Sequence, residues 1–285
     1  MELYSYNMPF KPTKVMPVGD MQWAGDSSHT ASRMLKDHIQ WGVDNDVWFM
    51  GQGDYIDHFS PSNRATLRAG KLYDTALEGI DQLAHMRVKE IYEKALAPSR
   101  GRWFGLLEGH HFHQYKTGIT SDMELAEMLE TVHLGSCAYI RLVYKEPVHG
   151  DIGEVLIWTH HGHGSAQTPG AVLNKLQRVA ARWAGDIFIM GHAHTKESTV
   201  IDRVIPIWNT PPRLAHRTVV LACTGGFLKG YVEHSRDGLV PRGTYVEQGM
   251  MPPVALGGML FTIIPRWYQG KYHQRVWLPD IRVEA

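Results

Sequence analysis

The stretch "DIFIMGHAHT" (residues 186–195) is a short apolar run that ends in a glycine and two histidines. The same plan occurs in "DVWFMGQGD" (46–54) and in "EVLIWTHHGHG" (154–164). Each stretch is typical of a buried strand that runs into a polar loop, because its apolar residues are continuous and glycines follow them. We therefore predict buried strands in all three places, each followed by candidate functional groups.

Segments with the apolar spacing of amphipathic helices lie between these strands, and they cover residues 31–39, 77–95, 121–129 and 172–183. The second is expected to stop before Pro98. The third begins at "SDME" (121–124), where Ser121 can cap the helix and Glu124 can complete a capping box. Strands that alternate with helices over the first two-thirds of the chain predict a layered α/β fold.

After residue 198 the pattern changes to short apolar runs, such as "RTVVLAC" (217–223) and "GMLFTII" (258–264), separated by proline and glycine turns. This part has no convincing helical pattern. We expect its strands to form a second, more antiparallel sheet. No polar linker or shift of composition divides the chain, so we expect one domain over residues 1–285.

The composition is that of an ordinary globular protein, with 44% apolar and 20% charged residues. Lys and Arg together number 29, as do Asp and Glu, so the bulk charge indicates neither a nucleic-acid nor a membrane partner. The apolar stretch "VALGGMLFTII" (254–264) is too short to span a bilayer. With two cysteines and no CxxC pattern, the chain is expected to work in the reducing cytoplasm.

Polar clusters follow five apolar runs: "VGDMQ" (18–22), "GDYID" (53–57), "EGHH" (108–111), "THHGH" (159–163) and "GHAH" (191–194). In α/β sheets functional groups converge beyond the carboxyl ends of the strands, so we expect the clusters to meet at one edge. Residues i and i+2 of an extended backbone share a face, so His192 and His194 can aim at one point, as can Asp20 and Gln22. Carboxylates mixed with imidazoles suit Mn²⁺, Fe or Zn²⁺ better than Mg²⁺ or Ca²⁺. The pattern therefore predicts a metal site.

In this order the five clusters resemble the motifs of the calcineurin-like metallophosphoesterases, and the resemblance extends from about Val15 to Thr195. The segments "HGHGSAQTPG" (161–170) and "MGHAHT" (190–195) are especially similar to the compact phosphoesterases of phages and bacteria. The resemblance implies a two-sheet β-sandwich flanked by helices. That architecture agrees with the α/β fold expected from the apolar patterns.

The resemblance also implies two divalent metal ions, with Mn²⁺ favoured over Fe and Zn²⁺. The first site would take Asp20, Gln22, Asp54 and His194. The second would take Asp54 as a bridge, together with His110, His161 and His192. His111 occupies the catalytic position of the family, near the ions but not bound to them. Asp57, the second acid of the GDxxD motif, is expected to support the site through a hydrogen bond.

Three other residues are candidates for supporting the ligands or contacting the substrate: His160, His163 and Arg64. The two histidines have no ligand position in the family pattern, so an ordinary loop role is equally open for them. Arg64 and Arg68 follow "GDYID" and could contact a phosphate group, although solvent-facing arginines would give the same pattern.

Three positions depart from the family pattern: Gln22 replaces the usual histidine, His110 the usual asparagine, and Phe112 an acidic residue. We therefore expect His110 to bind metal and His111 to act on the substrate, with the first metal site the weaker one. Two alternatives stay open, in which His113 takes one of these roles or the motif has decayed. His29 or a water molecule could also fill the position where the usual histidine is lost.

The resemblance implies hydrolysis of a phosphodiester or phosphomonoester by attack of a hydroxide that bridges the ions. His111 would stabilise the transition state or protonate the leaving oxygen, because the pKa of imidazole lies near neutrality. The substrate would be a small molecule or a nucleic acid, and the neutral net charge gives no support to a DNA or RNA nuclease. The alternative is a non-catalytic or weakly active metal-binding scaffold of the same fold, for which Gln22 is the main sign.

Overall fold

The fold is described from a computed structural model over residues 1–25, 29–70, 72–164, 168–208, 212–236, 239–241, 243–269 and 275–285. The segment 161–170 is therefore described only in part, and the side chains of Arg68 and Pro169 also lie outside the described part. The strands are β1 (Glu2–Met8), β2 (Thr13–Val18), β3 (Val47–Gly51), β4 (Trp103–Leu107), β5 (His133–Gly135), β6 (Cys137–Lys145), β7 (Ile152–His160), β8 (Ile187–Met190), β9 (Glu197–Ile207), β10 (Arg213–Cys223), β11 (Leu260–Ile264), β12 (Trp267–Gln269), β13 (Arg275–Trp277) and β14 (Asp280–Glu284). The helices are α1 (Ser32–Asp44), α2 (Pro61–Ala69), α3 (Asp74–Ile91), α4 (Ser121–Met128), α5 (Pro169–Ala180) and α6 (Tyr245–Gln248).

These strands form two six-stranded sheets and one two-stranded ribbon, β12-β13. Sheet I has the order β14-β11-β2-β3-β4-β5, in which β2 to β5 are parallel and β11 pairs antiparallel with β2 and β14. Sheet II has the order β1-β6-β7-β8-β10-β9, in which β7, β8 and β10 are parallel. The predicted strands in 46–54, 154–164 and 186–195 are therefore confirmed as β3, β7 and β8.

Both sheets are covered on both faces, which explains why their central strands are apolar without alternation. One core cluster contains residues of both sheets, among them Phe104 of β4 and Ile157 of β7. A second joins Phe49 of β3 to Leu35 of α1 and to residues of α3 and α4. A third joins strands of sheet II to Leu176 of α5. The layers are helices, sheet, sheet and helix, so the expected two-sheet α/β architecture flanked by helices is confirmed.

The helices expected from the apolar spacing are present as α1, α3, α4 and α5. Helix α3 continues through a π-helical turn, Tyr92–Leu96, and a 3₁₀ turn, Ala97–Ser99, which contains Pro98. Helix α5 ends at Ala180, three residues before the expected end. Within the described ranges, no helix combines the length and the apolar character needed to cross a bilayer.

The start of α4 differs from the expected capping box. Its N-cap is Thr120, whose side chain accepts a hydrogen bond from the N–H of Met123. Ser121 lies inside the helix, and its Oγ accepts the N–H of His113 at 3.0 Å. The carboxylate of Glu124 is hydrogen-bonded to other side chains. The prediction that Ser121 and Glu124 cap each other is therefore wrong, because the N-cap is Thr120 and the helix begins one residue earlier than expected.

The prediction of a separate antiparallel sheet from the C-terminal third is also wrong. Strands β9 and β10 extend sheet II beside β8, whereas β11 and β14 extend sheet I beside β2. The C-terminal strands thus complete both sheets that the first two-thirds of the chain begin. Apolar patterns show that a segment is a strand, but pairing depends on contacts between residues far apart in sequence.

Candidate metal centre

The five polar clusters lie at the carboxyl ends of five strands, and these strands come from both sheets. In sheet I, Asp20 follows β2, Asp54 follows β3 and His110 follows β4. In sheet II, His161 directly follows β7, and His192 follows β8. The clusters meet as predicted, but at neighbouring edges of two sheets and not at one edge of a single sheet.

Several of the expected ligands have strained backbones. Nine non-glycine residues of the described part have positive φ, and five of these are predicted ligands: Asp20 (48°), Gln22 (43°), Asp54 (54°), His192 (65°) and His194 (53°). The i and i+2 pairs are therefore left-handed and not extended, so that part of the sequence argument is wrong. Such conformations cost of order 1–3 kcal/mol each and cluster at functional sites, where the surrounding structure holds them.

Asp54 occupies the middle of the cluster. Its Oδ1 accepts hydrogen bonds from the backbone N–H groups of His110 and His111, the second at 2.9 Å. Its Oδ2 lies 3.3 Å from Nε2 of His161. Nδ1 of His161 is 2.6 Å from the backbone oxygen of Gln52, to which it donates. This bond orients the ring so that Nε2 faces Asp54, as in histidines that bind metal.

The charges of Asp54 and His161 stabilise each other. Burial acts to lower the pKa of His161, but the nearby Asp54 carboxylate outweighs it and raises the pKa to about 9. Burial acts to raise the pKa of Asp54, but His161 holds it below the usual range. Metal ions bind deprotonated imidazole, so a cation here would have to displace this proton.

His110, His161 and His192 form one group of side chains whose ligand atoms lie within 4.8 Å of one another. Nδ1 of His110 is 3.3 Å from Nδ1 of His192. Burial, and next the charge of His161, lower the pKa of His110 to about 4 and that of His192 to about 3. Both rings are therefore neutral at physiological pH, which is the form that binds metal.

Asp20, Asp54 and His161 form a second group, which shares His161 with the first. Asp20 is fully buried, and its Oδ2 accepts the N–H of His192 at 2.8 Å. Its Oδ1 lies 3.8 Å from Nε2 of His194. The structure thus brings together the expected ligands Asp20, Asp54 and His194 on one side, and His110, His161 and His192 on the other.

Two buried atoms of these residues have no hydrogen-bond partner among the described atoms: Asp20 Oδ1 and His194 Nδ1. A buried polar atom without a partner costs about 1–3 kcal/mol, so each such atom calls for an explanation. A metal ion provides one, and this mixture of carboxylate and imidazole suits Mn²⁺, Fe or Zn²⁺. The residues present therefore fit a metal centre.

His111 belongs to neither group of candidate ligands. Its Nδ1 is 2.8 Å from Oδ1 of Asp57. Burial acts to lower the pKa of His111, but the hydrogen bond to Asp57 and the charge of Asp54 outweigh it and raise the pKa. The ring lines a cavity together with Asp54 and His192. This arrangement supports a histidine that carries a proton close to the ligands.

Gln22 lines the same cavity, and its Oε1 accepts a hydrogen bond from the hydroxyl of Tyr245 at 3.4 Å. Burial, and next the neighbouring carboxylates, raise the pKa of that hydroxyl to about 12, so it remains a donor. The sequence argument missed Tyr245, because it lies in α6, far along the chain from every motif. Its role depends on tertiary contacts alone.

Two glycines allow the loops at the site to approach each other. A Cβ on Gly109 would lie 2.1 Å from the backbone N and from Oδ1 of Asp54. A Cβ on Gly53, whose φ is +92°, would lie 2.6 Å from Nδ1 of His161. The glycines of "GDYID" and "EGHH" are therefore required by close packing around Asp54.

The backbone of "EGHH" is held by Arg64 and Asp122. Nη1 of Arg64 donates to the carbonyl oxygen of His110 at 2.6 Å and to that of Phe112 at 3.0 Å. Oδ2 of Asp122 accepts the N–H of Gly109 at 3.0 Å, and burial raises the pKa of this acid to about 7. Arg64 thus supports the loop, and its expected contact with substrate stays a prediction. The role of Asp122 was missed, because "SDME" indicates only a helix start.

The other histidines lie around the centre. Nε2 of His113 is 2.6 Å from Oδ1 of Asp81, and His113 belongs to neither ligand group, so the structure does not support the alternative that it replaces a ligand. Nδ1 of His160 accepts the N–H of Gly162 at 2.7 Å, which suits a loop role. His163 is exposed, with its ring 6.1 Å from that of His110.

The fold and the site thus define an α/β protein of two sheets with a candidate metal centre. No model of a known family matches the sequence, and no curated protein matches it. One similar solved structure is a conserved uncharacterized protein from Streptococcus pneumoniae, described as a predicted phosphoesterase. It is 11% identical and has a TM-score of 0.32, and the match covers 96% of this chain and 98% of that chain. Another is Vps29 of Chaetomium thermophilum, which is 8% identical and has a TM-score of 0.29. The match covers 95% of this chain and 96% of the Vps29 chain. Likenesses at this level say nothing about activity, which is inferred below from the site.

Proposed function

We propose that this protein is a metal-dependent phosphoesterase of the calcineurin-like kind, which hydrolyses a phosphomonoester or phosphodiester. The observation that carries the proposal is the convergence of two candidate ligand groups on His161. The buried atoms Asp20 Oδ1 and His194 Nδ1, which have no hydrogen-bond partner among the described atoms, add to it. A carboxylate and imidazole set of this kind, open to a cavity, is a site for metal-assisted hydrolysis.

The residues that would hold the ions follow the expected assignment. The first ion would be held by Asp20, Gln22, Asp54 and His194. The second would be held by Asp54, His110, His161 and His192. Two divalent ions, with Mn²⁺ favoured over Fe and Zn²⁺, would lower the pKa of the attacking water and stabilise negative charge on the phosphoryl oxygens.

His111 would supply the proton that the leaving oxygen needs. Because Asp57 accepts a hydrogen bond from Nδ1, the proton available to the substrate is the one on Nε2. The oxygen of the attacking water would bond to phosphorus as the ester P–O bond breaks, and the electron pair of the broken bond would remain on the leaving oxygen, which takes this proton and departs as an alcohol. Asp57 then stabilises the orientation of the ring without contacting the substrate.

The test is metal analysis of the purified chain, followed by assays of p-nitrophenyl phosphate and bis(p-nitrophenyl) phosphate with added Mn²⁺. We expect bound divalent metal and hydrolysis of at least one ester, abolished by a chelator and restored by metal. Tight metal binding without hydrolysis of any ester would overturn the proposal in favour of a metal-binding scaffold. Absence of both would overturn the metal centre itself.

The substitution Gln22→His is expected to tighten the weaker metal site by about 10–100-fold. An amide oxygen is a weaker ligand than imidazole for Mn²⁺, Fe²⁺ or Zn²⁺, and in Gln22 it also accepts the hydroxyl of Tyr245. Calorimetric titration with Mn²⁺ measures the change, and Gln177→His on the exposed surface of α5 is the matched control. If the two sites of the unchanged protein bound Mn²⁺ equally tightly, and Gln22→His did not alter either affinity, the expected difference between the sites would be contradicted. Binding of the first ion by another ligand, such as His29, in place of Gln22 would contradict it as well.

A further inference from the structure

The cavity at the metal centre has two walls of opposite character. Its volume is about 360 Å³. One wall consists of the polar residues Gln22, Asp54, His111, His192 and His194. The apolar residues of the lining, which form the apolar wall, come from the C-terminal third and are Leu228, Val246, Met251, Pro252 and Val254; Tyr245 also lines the cavity. A ligand in this cavity would therefore contact candidate metal ligands on one side and apolar groups on the other.

No lysine or arginine is among the described residues that line this cavity. Nucleic acids and polyphosphates are bound through several basic side chains, because each phosphate brings a negative charge. The chain as a whole also has a formal net charge of zero. The candidate metal centre can thus bind one phosphoryl group, but the described lining has no basic side chain that would bind additional phosphates.

The segment that carries most of the apolar wall also has exposed apolar side chains. Among the described residues between 231 and 251, six large apolar side chains are exposed: Tyr231, Leu239, Val240, Tyr245, Met250 and Met251. Two of them, Tyr245 and Met251, also line the cavity. Exposed apolar residues that line a ligand cavity, as Tyr245 and Met251 do, indicate contact with an apolar ligand group.

We propose that the substrate is a phosphate ester of an apolar aryl or alkyl alcohol, whose apolar group packs against Leu228, Val246, Met251 and Val254. This inference rests on the proposed phosphoesterase activity and narrows its substrate class. The phosphoryl group lies at the candidate metal ligands, and the apolar group displaces water from the apolar wall. Burial of that group is the favourable term that selects this ester over one with a polar or charged alcohol.

A binding experiment tests the apolar wall without depending on turnover. Phenylphosphonate and methylphosphonate, which cannot be hydrolysed at the P–C bond by this chemistry, are titrated into the Mn²⁺-loaded full chain by calorimetry. We expect phenylphosphonate to bind at least about 10-fold more tightly, because only its ring reaches the apolar wall.

Two near-isosteric polar variants identify the wall. Val254→Thr and Met251→Gln are each expected to reduce the preference for phenylphosphonate by about 3–10-fold and to leave methylphosphonate binding unchanged. Met251 is 42% exposed, so its replacement does not threaten folding. Val148→Thr, at a residue that is 77% exposed and outside the cavity, is the matched control.

Turnover is compared for three phosphodiesters that share p-nitrophenolate as the leaving group. Their second ester group is phenyl, methyl or the 5′-linked thymidine. We expect the phenyl ester to have the highest kcat/KM, and Met251→Gln to lower that value for the phenyl ester only. Hydrolysis with equal kcat/KM for phenyl and methyl esters, or with the thymidine ester preferred, would overturn this inference alone. Selective binding of phenylphosphonate with no hydrolysis of any ester would support the apolar site and overturn the proposed function.

Discussion

Asp54→Asn should lower turnover by more than about 10³-fold and remove metal from both sites. The amide keeps the shape of the side chain and an oxygen that can accept the N–H groups of His110 and His111. The "EGHH" loop is therefore expected to keep its conformation. What the variant loses is the negative charge that would lie between two divalent cations and that stabilises His161. Without it the two ions would repel each other at short range.

Metal content by elemental analysis and hydrolysis of bis(p-nitrophenyl) phosphate measure the two effects. The matched control is Asp57→Asn, which changes a carboxylate three residues away that contacts His111 and lies outside both ligand groups. Asp57→Asn is expected to keep its metal. Near-normal turnover of Asp54→Asn, or loss of metal in both variants alike, would contradict the bridging role of Asp54.

His111→Ala should slow turnover by roughly 10²–10⁴-fold and leave the metal content intact. The reason is that His111 lines the cavity but belongs to neither ligand group, so its loss removes a proton donor and not a ligand. His110→Ala is the matched comparison, because this neighbouring histidine lies among the candidate ligands and its loss should reduce metal affinity. If His111→Ala lost metal and His110→Ala kept it, the two roles within "EGHH" would be reversed.

The pH profile gives a second measure of His111. Its pKa is raised above the usual value, so the ring keeps its proton to a higher pH than a free imidazole does and loses it as the pH rises through that raised pKa. Activity that needs the protonated ring should therefore fall on the alkaline side. Asp57→Asn removes the partner that raises the pKa, and the alkaline limb should move to lower pH. In His111→Ala this limb should disappear.

The positions of the candidate ligands followed from the sequence because their signals are local. An apolar run followed by a glycine and polar residues indicates a buried strand and the loop at its end, whatever the strand pairs with. This reasoning placed Asp20, Asp54, His110, His161 and His192 at strand ends, and the structure brings them together. Their role in binding metal stays a prediction that the experiments above test.

Local signals could not give the backbone of these residues. The i and i+2 argument assumed extended strands, but Asp20, Gln22, His192 and His194 are left-handed. A left-handed residue is held by its surroundings, such as the N–H of His192 on the buried carboxylate of Asp20. Those surroundings come from another strand of another sheet, which no window of sequence contains.

The sequence by itself determined the α/β class, the central strands and which polar residues stand at the ends of those strands. Only the tertiary structure decided that the C-terminal strands are shared between the two sheets and that Leu228, Val246, Met251, Pro252 and Val254 line the cavity. It also decided that Arg64 and Asp122 hold the "EGHH" loop. The physical reason is the range of the interactions: apolar periodicity acts over a few residues, whereas strand pairing and cavity walls depend on contacts between distant segments, whose favourable energy appears only when the whole core is formed.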